Sequence, residues 1–167
     1  MSSRAAHRVP LESESRRASV VLDHVSKMII EQLQQDGRKS YAAIAQEVGL
    51  SEPAVRQRVQ RLLDAEVMQI VAVTDPLQLG FQRQALIGIR TTGDLTEVAD
   101  TLTEIDEVDY VVTTAGSFDL LAEVVCEDDE HLLDVLNTRI RSLPNITATE
   151  TFVYLKLNKQ FYNWGTR

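Results

Sequence analysis

The sequence predicts an α+β chain, with an N-terminal winged helix-turn-helix followed by a ferredoxin-like β-α-β-β-α-β sheet. Three observations carry this. Before residue 65 the apolar residues recur at helical spacing in three short runs, and after residue 83 strand-like runs alternate with helix-like ones. Between them, Thr74-Asp75-Pro76-Leu77-Gln78-Leu79-Gly80-Phe81 breaks both patterns. The expected division is therefore a tail over 1–20, a helical unit over 21–74, a linker over 75–82 and a sheet unit over 83–167. With 167 residues, 44% of them apolar, the chain can bury one moderate core and a second small one.

Residues 1–20 are rich in Ser and Arg with little apolar periodicity, which fits a flexible tail. Its Arg4, Arg8, Arg16 and Arg17 could add phosphate contacts or simply be solvated. The first helix, from Asp23 to Gln35, sets Val25, Met28, Ile29 and Leu33 on one face, and Asp36-Gly37-Arg38 ends it. The second, from Tyr41 to Val48, has Ser40 as a cap and Gly49 as a stop tolerant of positive φ. In the third, Ser51 is placed to cap and Pro53 falls in the first turn, where its missing N–H costs little. Val67 to Val73 is β-prone and fits a wing strand.

Along the third helix Val55, Val59 and Leu62 fall within one arc, while Ala54, Gln57 and Arg61 point roughly the other way. Arg56, Arg58 and Gln60 lie on the flanks. Such a helix can enter a major groove, with Gln57 and Arg61 on base edges and Arg56 and Arg58 mostly on phosphates. It also fits an ordinary solvated face, and the residues alone leave both readings open.

In the sheet unit, Gln84 to Arg90 reads as a strand and Asp94 to Ile105 as a helix with Val98, Leu102 and Ile105 inward. Val108 to Thr114 and Phe118 to Cys126 read as strands, and Asp128 to Arg141 as a helix burying Leu132, Val135, Leu136 and Ile140. Pro144-Asn145 turns into a last strand, Ile146 to Leu157. That strand is apolar or β-branched on both sides, with Thr149, Thr151, Val153, Leu155 and Leu157 against Ala148, Phe152 and Tyr154. Both faces need cover, from a second copy of the chain or from Lys156 to Arg167 folding back.

The net charge of −8 is unevenly spread. Residues 1–20 hold four Arg against two Glu, residues 21–74 six cations against seven acids, and residues 75–167 seven against sixteen. Acidity in the second half does not bar DNA from a locally basic helix, because charges beyond about one Debye length are screened.

The ordered landmarks Leu22-Asp23, Leu33 to Arg38, Ile44 to Ser51, Arg58 to Leu62 and Gly116-Ser117-Phe118-Asp119 resemble the Lrp/AsnC (feast/famine) family of bacterial and archaeal regulators. One departure is Glu66, where many members have glycine. The resemblance implies a sequence-specific transcriptional regulator that binds double-stranded DNA through Ser51, Ala54, Arg56, Gln57, Arg58 and Arg61. It also implies that the sheet unit is a RAM domain, which binds a small-molecule effector, an amino acid or related metabolite. The loop carrying Thr114, Gly116, Ser117 and Asp119 would line the effector pocket. On residue chemistry alone that loop reads as a hairpin turn with a capping Asp, and it is the resemblance that favours the pocket. The implied assembly is a homodimer, associating further to a tetramer or octamer.

Catalysis finds little support. No paired-His metal motif, Cys-x-x-Cys, phosphate loop or nucleophile elbow occurs, and His7, His24 and His131 are scattered. No metal, cofactor or catalytic residue is expected, and Cys126 ends an apolar run in the manner of a packing residue. No stretch approaches the roughly 18 apolar residues of a membrane span, and the start lacks a secretory core, so a cytoplasmic protein is expected. The alternative is an enzyme resembling the sirohaem decarboxylases, which share the two-part build.

Overall fold

The computed structural model describes residues 22–167, so the expected tail over 1–20 and its four arginines lie outside the described residues. Two compact units result. The described part of one is 22–73 together with 159–167, and that of the other is 74–158; the sequence had placed the whole of 83–167 with the sheet.

The helical unit contains α1 (His24–Gln35), α2 (Tyr41–Val48) and α3 (Glu52–Asp64). Local chemistry sets their ends. The Asp23 carboxylate accepts the Ser26 N–H at 2.8 Å, and the Ser40 hydroxyl accepts that of Ala43 at 3.2 Å. Gly49, at φ 70°, closes α2 in the left-handed region. Ser51 occupies the cap position of α3, but its side chain makes no capping bond, contrary to expectation. Pro53 explains this, since a proline in the first turn removes one of the two N–H groups a cap hydroxyl could reach. The core is Ile29, Leu33, Ile44, Ala45, Val55 and Val59, with Val25, Tyr41, Val48, Leu50, Leu63 and Met68 against it.

The expected wing strand does not form: 68–75 has no strand or helix, and Val67, Ile70, Val71 and Val73 are exposed. A strand exists only through a partner's hydrogen bonds, and the described residues offer the segment none. The C-terminal residues instead reach α1, where the Gly165 N–H donates to Gln34 Oε1 at 3.1 Å and the Thr166 hydroxyl to Glu31.

The sheet unit follows a short 3-10 turn, Pro76–Leu79, which the Asp75 side chain caps. Its elements are β1 (Arg83–Thr91), α4 (Leu95–Thr103), β2 (Val108–Thr113), β3 (Leu120–Cys126), α5 (Asp129–Asp134) and β4 (Ile146–Val153). The strand order is β2-β3-β1-β4, antiparallel throughout, which is the ferredoxin-like split arrangement expected. Helix α5 runs on as a π-helical segment, Val135–Ile140, where one α-helix was expected, yet the inward set Leu132, Val135, Leu136 and Ile140 is buried as predicted. Ala85, Ile87 and Ile89 of β1 and Leu120, Ala122, Val124 and Cys126 of β3 meet Val98, Leu102 and Ile105 on the helix-covered face. β4 ends four residues earlier than predicted, and the following Leu155 and Leu157 are exposed. On the other face Tyr110 and Phe152 are exposed, while Glu123 accepts bonds from Gln84 and, at 3.2 Å, from the Tyr154 hydroxyl. Burial and then the Glu123 charge push the Tyr154 phenol up to about 12.

Candidate functional site

Helix α3 buries Val55, Val59 and Leu62, so its remaining faces are available to a partner. Its cations do not share one fate. Arg58 Nη1 donates to Asp23 Oδ2 at 2.6 Å and to Ser26 Oγ at 3.2 Å, which ties α3 to the first turn of α1. Bonds from Ser26 first and from Arg58 next hold the Asp23 carboxyl down at about 2. Arg58 Nη1 is thus engaged inside the unit, where the sequence suggested a phosphate contact for this side chain.

Arg56 pairs with Glu52 at 2.8 Å and lies over the Tyr41 ring at 5.1 Å, and Gln60 donates to Asp64 at 2.7 Å. Gln57 and Arg61 are exposed, and neither has a side-chain hydrogen bond or ion pair among the described residues. Ala54 is half-buried, and the Ser51 hydroxyl is left uncommitted by the capping geometry. The result is an outward stripe of Ser51, Gln57 and Arg61 flanked by a preoriented Arg56.

The second group is the loop between β2 and β3. The Thr114 N–H donates to the Asp119 carbonyl at 2.9 Å, and the Asp119 N–H to the Ile89 carbonyl at 2.9 Å. Asp119 Oδ2 accepts the Thr91 N–H at 2.8 Å, while the Thr114 hydroxyl donates to the Phe118 carbonyl. All four predicted residues lie on this loop. Gly116 has no positive φ, and a Cβ there would meet only Thr114 Oγ1 at 4.0 Å, so nothing within the chain demands glycine at that position.

Three residues that the sequence reading passed over shape the loop. The Phe118 ring lies on Gly88 so closely that a Cβ at residue 88 would come within 2.6 Å of it. Phe152 meets Phe118 edge-on, with centroids 6.2 Å apart. Arg90 covers the same ring at 5.6 Å and donates from Nε to the Ser117 carbonyl at 2.9 Å. The signal for Gly88 was present, since glycine inside a strand marks a close approach.

His131 Nδ1 accepts the Glu127 N–H at 3.2 Å, so its Nε2 carries the proton toward Glu107 at 3.1 Å. Cys126 is buried, and burial, then Glu107, pushes its thiol up to about 11. Among the described residues no cluster of three or more His, Cys, Asp or Glu could hold a metal, and no helix is long and apolar enough to cross a membrane.

Residues 22–63 match the AsnC-type helix-turn-helix domain, and residues 81–167 match a C-terminal dimeric alpha+beta barrel domain of AsnC-type regulators. The HTH-type transcriptional regulator FL11 of Pyrococcus horikoshii is 32% identical over 143 residues, 84% of this chain and 94% of that protein. The solved leucine response regulatory protein of Mycobacterium tuberculosis has a TM-score of 0.75 at 27% identity, covering 83% of this chain and 96% of its own. A transcriptional regulator of Neisseria meningitidis, solved as a complex with L-Met, shares the fold with a TM-score of 0.72 at 23% identity, over 85% of this chain and 95% of that one. These relatives regulate transcription, and the enzyme alternative gains no support from them.

Proposed function

Since this chain belongs to the Lrp/AsnC family of transcriptional regulators, we propose that it acts on DNA in the cytoplasm as a homodimer, with Gln57 and Arg61 of α3 reading base edges. Arg56 and Ser51 contact phosphates, Ala54 lets α3 approach the groove, and Arg58 serves as a positioning residue that fixes the angle between α3 and α1. The observation that carries this reading is the contrast on α3. Arg58 and Arg56 have partners inside the unit, whereas Gln57 and Arg61 are exposed and have none among the described residues.

Dimers pair through the uncovered sheet face and associate further into tetramers or octamers. An amino acid or related metabolite binds at the loop of Thr114, Gly116, Ser117 and Asp119 and changes how the reading heads are spaced. The L-Met bound by the Neisseria regulator and the leucine response of the mycobacterial one point to that ligand class.

The test is a mobility-shift titration on the DNA upstream of the protein's own gene. Replacing Arg61 by Ala removes a base contact worth roughly 1–3 kcal/mol, about a 5- to 150-fold loss of affinity. Unchanged binding by Arg61→Ala would remove α3 as the reading helix.

A further inference from the structure

We propose that Arg90 is the carboxylate-binding residue of the effector site, and that with Asp119 it selects ligands carrying both the α-carboxylate and the α-ammonium of an amino acid. The assignment rests on the effector reading of the β2–β3 loop and adds to it a cation that the loop itself lacks.

Ile89 of β1 pairs with Leu120 of β3, so Arg90 and Asp119, the next residue on each side, stand at the same end of that ladder. Opposite charges placed this way ordinarily pair across a sheet. Here they do not. Asp119 directs Oδ2 to the Thr91 N–H at 2.8 Å, and Arg90 directs Nε to the Ser117 carbonyl at 2.9 Å. The guanidinium carbon also lies over the Phe118 ring, 5.6 Å from its centroid, and that ring's own seat on Gly88 allows no Cβ beneath it.

The outcome is a fork fixed along one edge and over one face. Its two terminal nitrogens make no hydrogen bond among the described residues, and the side chain is exposed. A guanidinium restrained in this manner binds a carboxylate through two parallel N–H bonds with little further loss of rotamer freedom. Asp119 Oδ1 likewise has no hydrogen bond among the described residues and can accept from an ammonium. Gly116 and Ser117 in the same loop carry short side chains. A cation and an anion side by side, each restrained by a bond to backbone and not to each other, complement a zwitterion.

The experiment is a thermal-shift titration of the full-length protein with each of the twenty L-amino acids and with the matching α-carboxamides. For the wild type, an acid that raises the melting temperature should do so at a concentration at least tenfold lower than its carboxamide. In Arg90→Gln the acid and the carboxamide should become equivalent. Arg90→Lys, which keeps the charge without the fork, should recover part of the preference. A merely structural role would lower the ligand-free melting temperature and leave the acid-to-carboxamide ratio intact. Retention of the tenfold preference by Arg90→Gln overturns the assignment while leaving the effector reading in place. If no amino acid shifts the wild type, the effector reading fails and the assignment falls with it.

Discussion

Helix α3 ends with the Val67 N–H on the Leu62 carbonyl and the Glu66 N–H on the Leu63 carbonyl, each at 3.0 Å. This double closure requires a left-handed residue at its centre, and Glu66 sits there at φ 54°. A side chain in that region costs about 1–2 kcal/mol, and a carboxylate beside the negative end of a helix is a second small penalty. Glycine relieves both, at the expense of a more flexible unfolded chain. Glu66→Gly should therefore stabilise the protein by roughly 0.5–1 kcal/mol, a rise of a few degrees in melting temperature. Calorimetry on the two proteins checks it, and a fall would show that the Glu66 side chain contributes something its backbone conceals. Arg58 shows the opposite relation between residue type and role. The helical pattern placed it correctly on a flank, but its partner Asp23 is 35 positions away, and no local pattern encodes that distance.

The elements that could be read from sequence are those whose ends are set within four residues. Asp23, Ser40, Gly49, Asp94 and Asp128 act at the boundaries expected of them, because a cap is a bond between near neighbours in the chain. Elements defined by distant partners were less legible. Val67 to Val73 has strand composition but no partner strand among the described residues, and the docking of Gly165 on Gln34 spans 131 positions. For the candidate loop, Thr114 to Asp119 was legible as a turn; the aromatic and guanidinium packing that holds it was not, since Gly88, Arg90 and Phe152 come from β1 and β4. That packing is testable at the level of the strand. A methyl group at residue 88 would lie 2.6 Å from Phe118 Cδ2, well inside van der Waals contact, so the ring must leave the sheet. Gly88→Ala should cost about 1–3 kcal/mol, with the loss concentrated at the loop. In hydrogen exchange the amides of Thr114 and Asp119 should lose protection, while those of Ile87 and Ala122 in the paired strands keep it. Uniform loss across the sheet would mean that Phe118 supports the whole unit and not the loop alone.

For the whole molecule, an acidic protein must bind a polyanion, and the affinity available from phosphate contacts is limited. Residues 75–167 carry sixteen acids against seven cations, and residues 21–74 are close to neutral. On the reading proposed above, with Arg58 held by Asp23 and Arg61 on a base edge, each copy of α3 offers Arg56 as its cationic phosphate contact. Two copies then neutralise roughly two phosphates, and the logarithm of affinity should fall with the logarithm of salt at a slope of about −2. The segment over 1–20 adds four arginines per copy, enough to raise that number roughly fivefold if all of them engage. Titrations of the dimer on one operator at several salt concentrations, with and without residues 1–20, separate the cases. A slope of about −2 that survives the truncation assigns binding to α3 alone, whereas a steeper slope that falls back on truncation makes the arginines of 1–20 a second contact surface. Specificity should follow the first case, since a binder with few phosphate contacts depends on base contacts for most of its discrimination. The truncated dimer would then keep its preference for the operator over random DNA even where its absolute affinity declines.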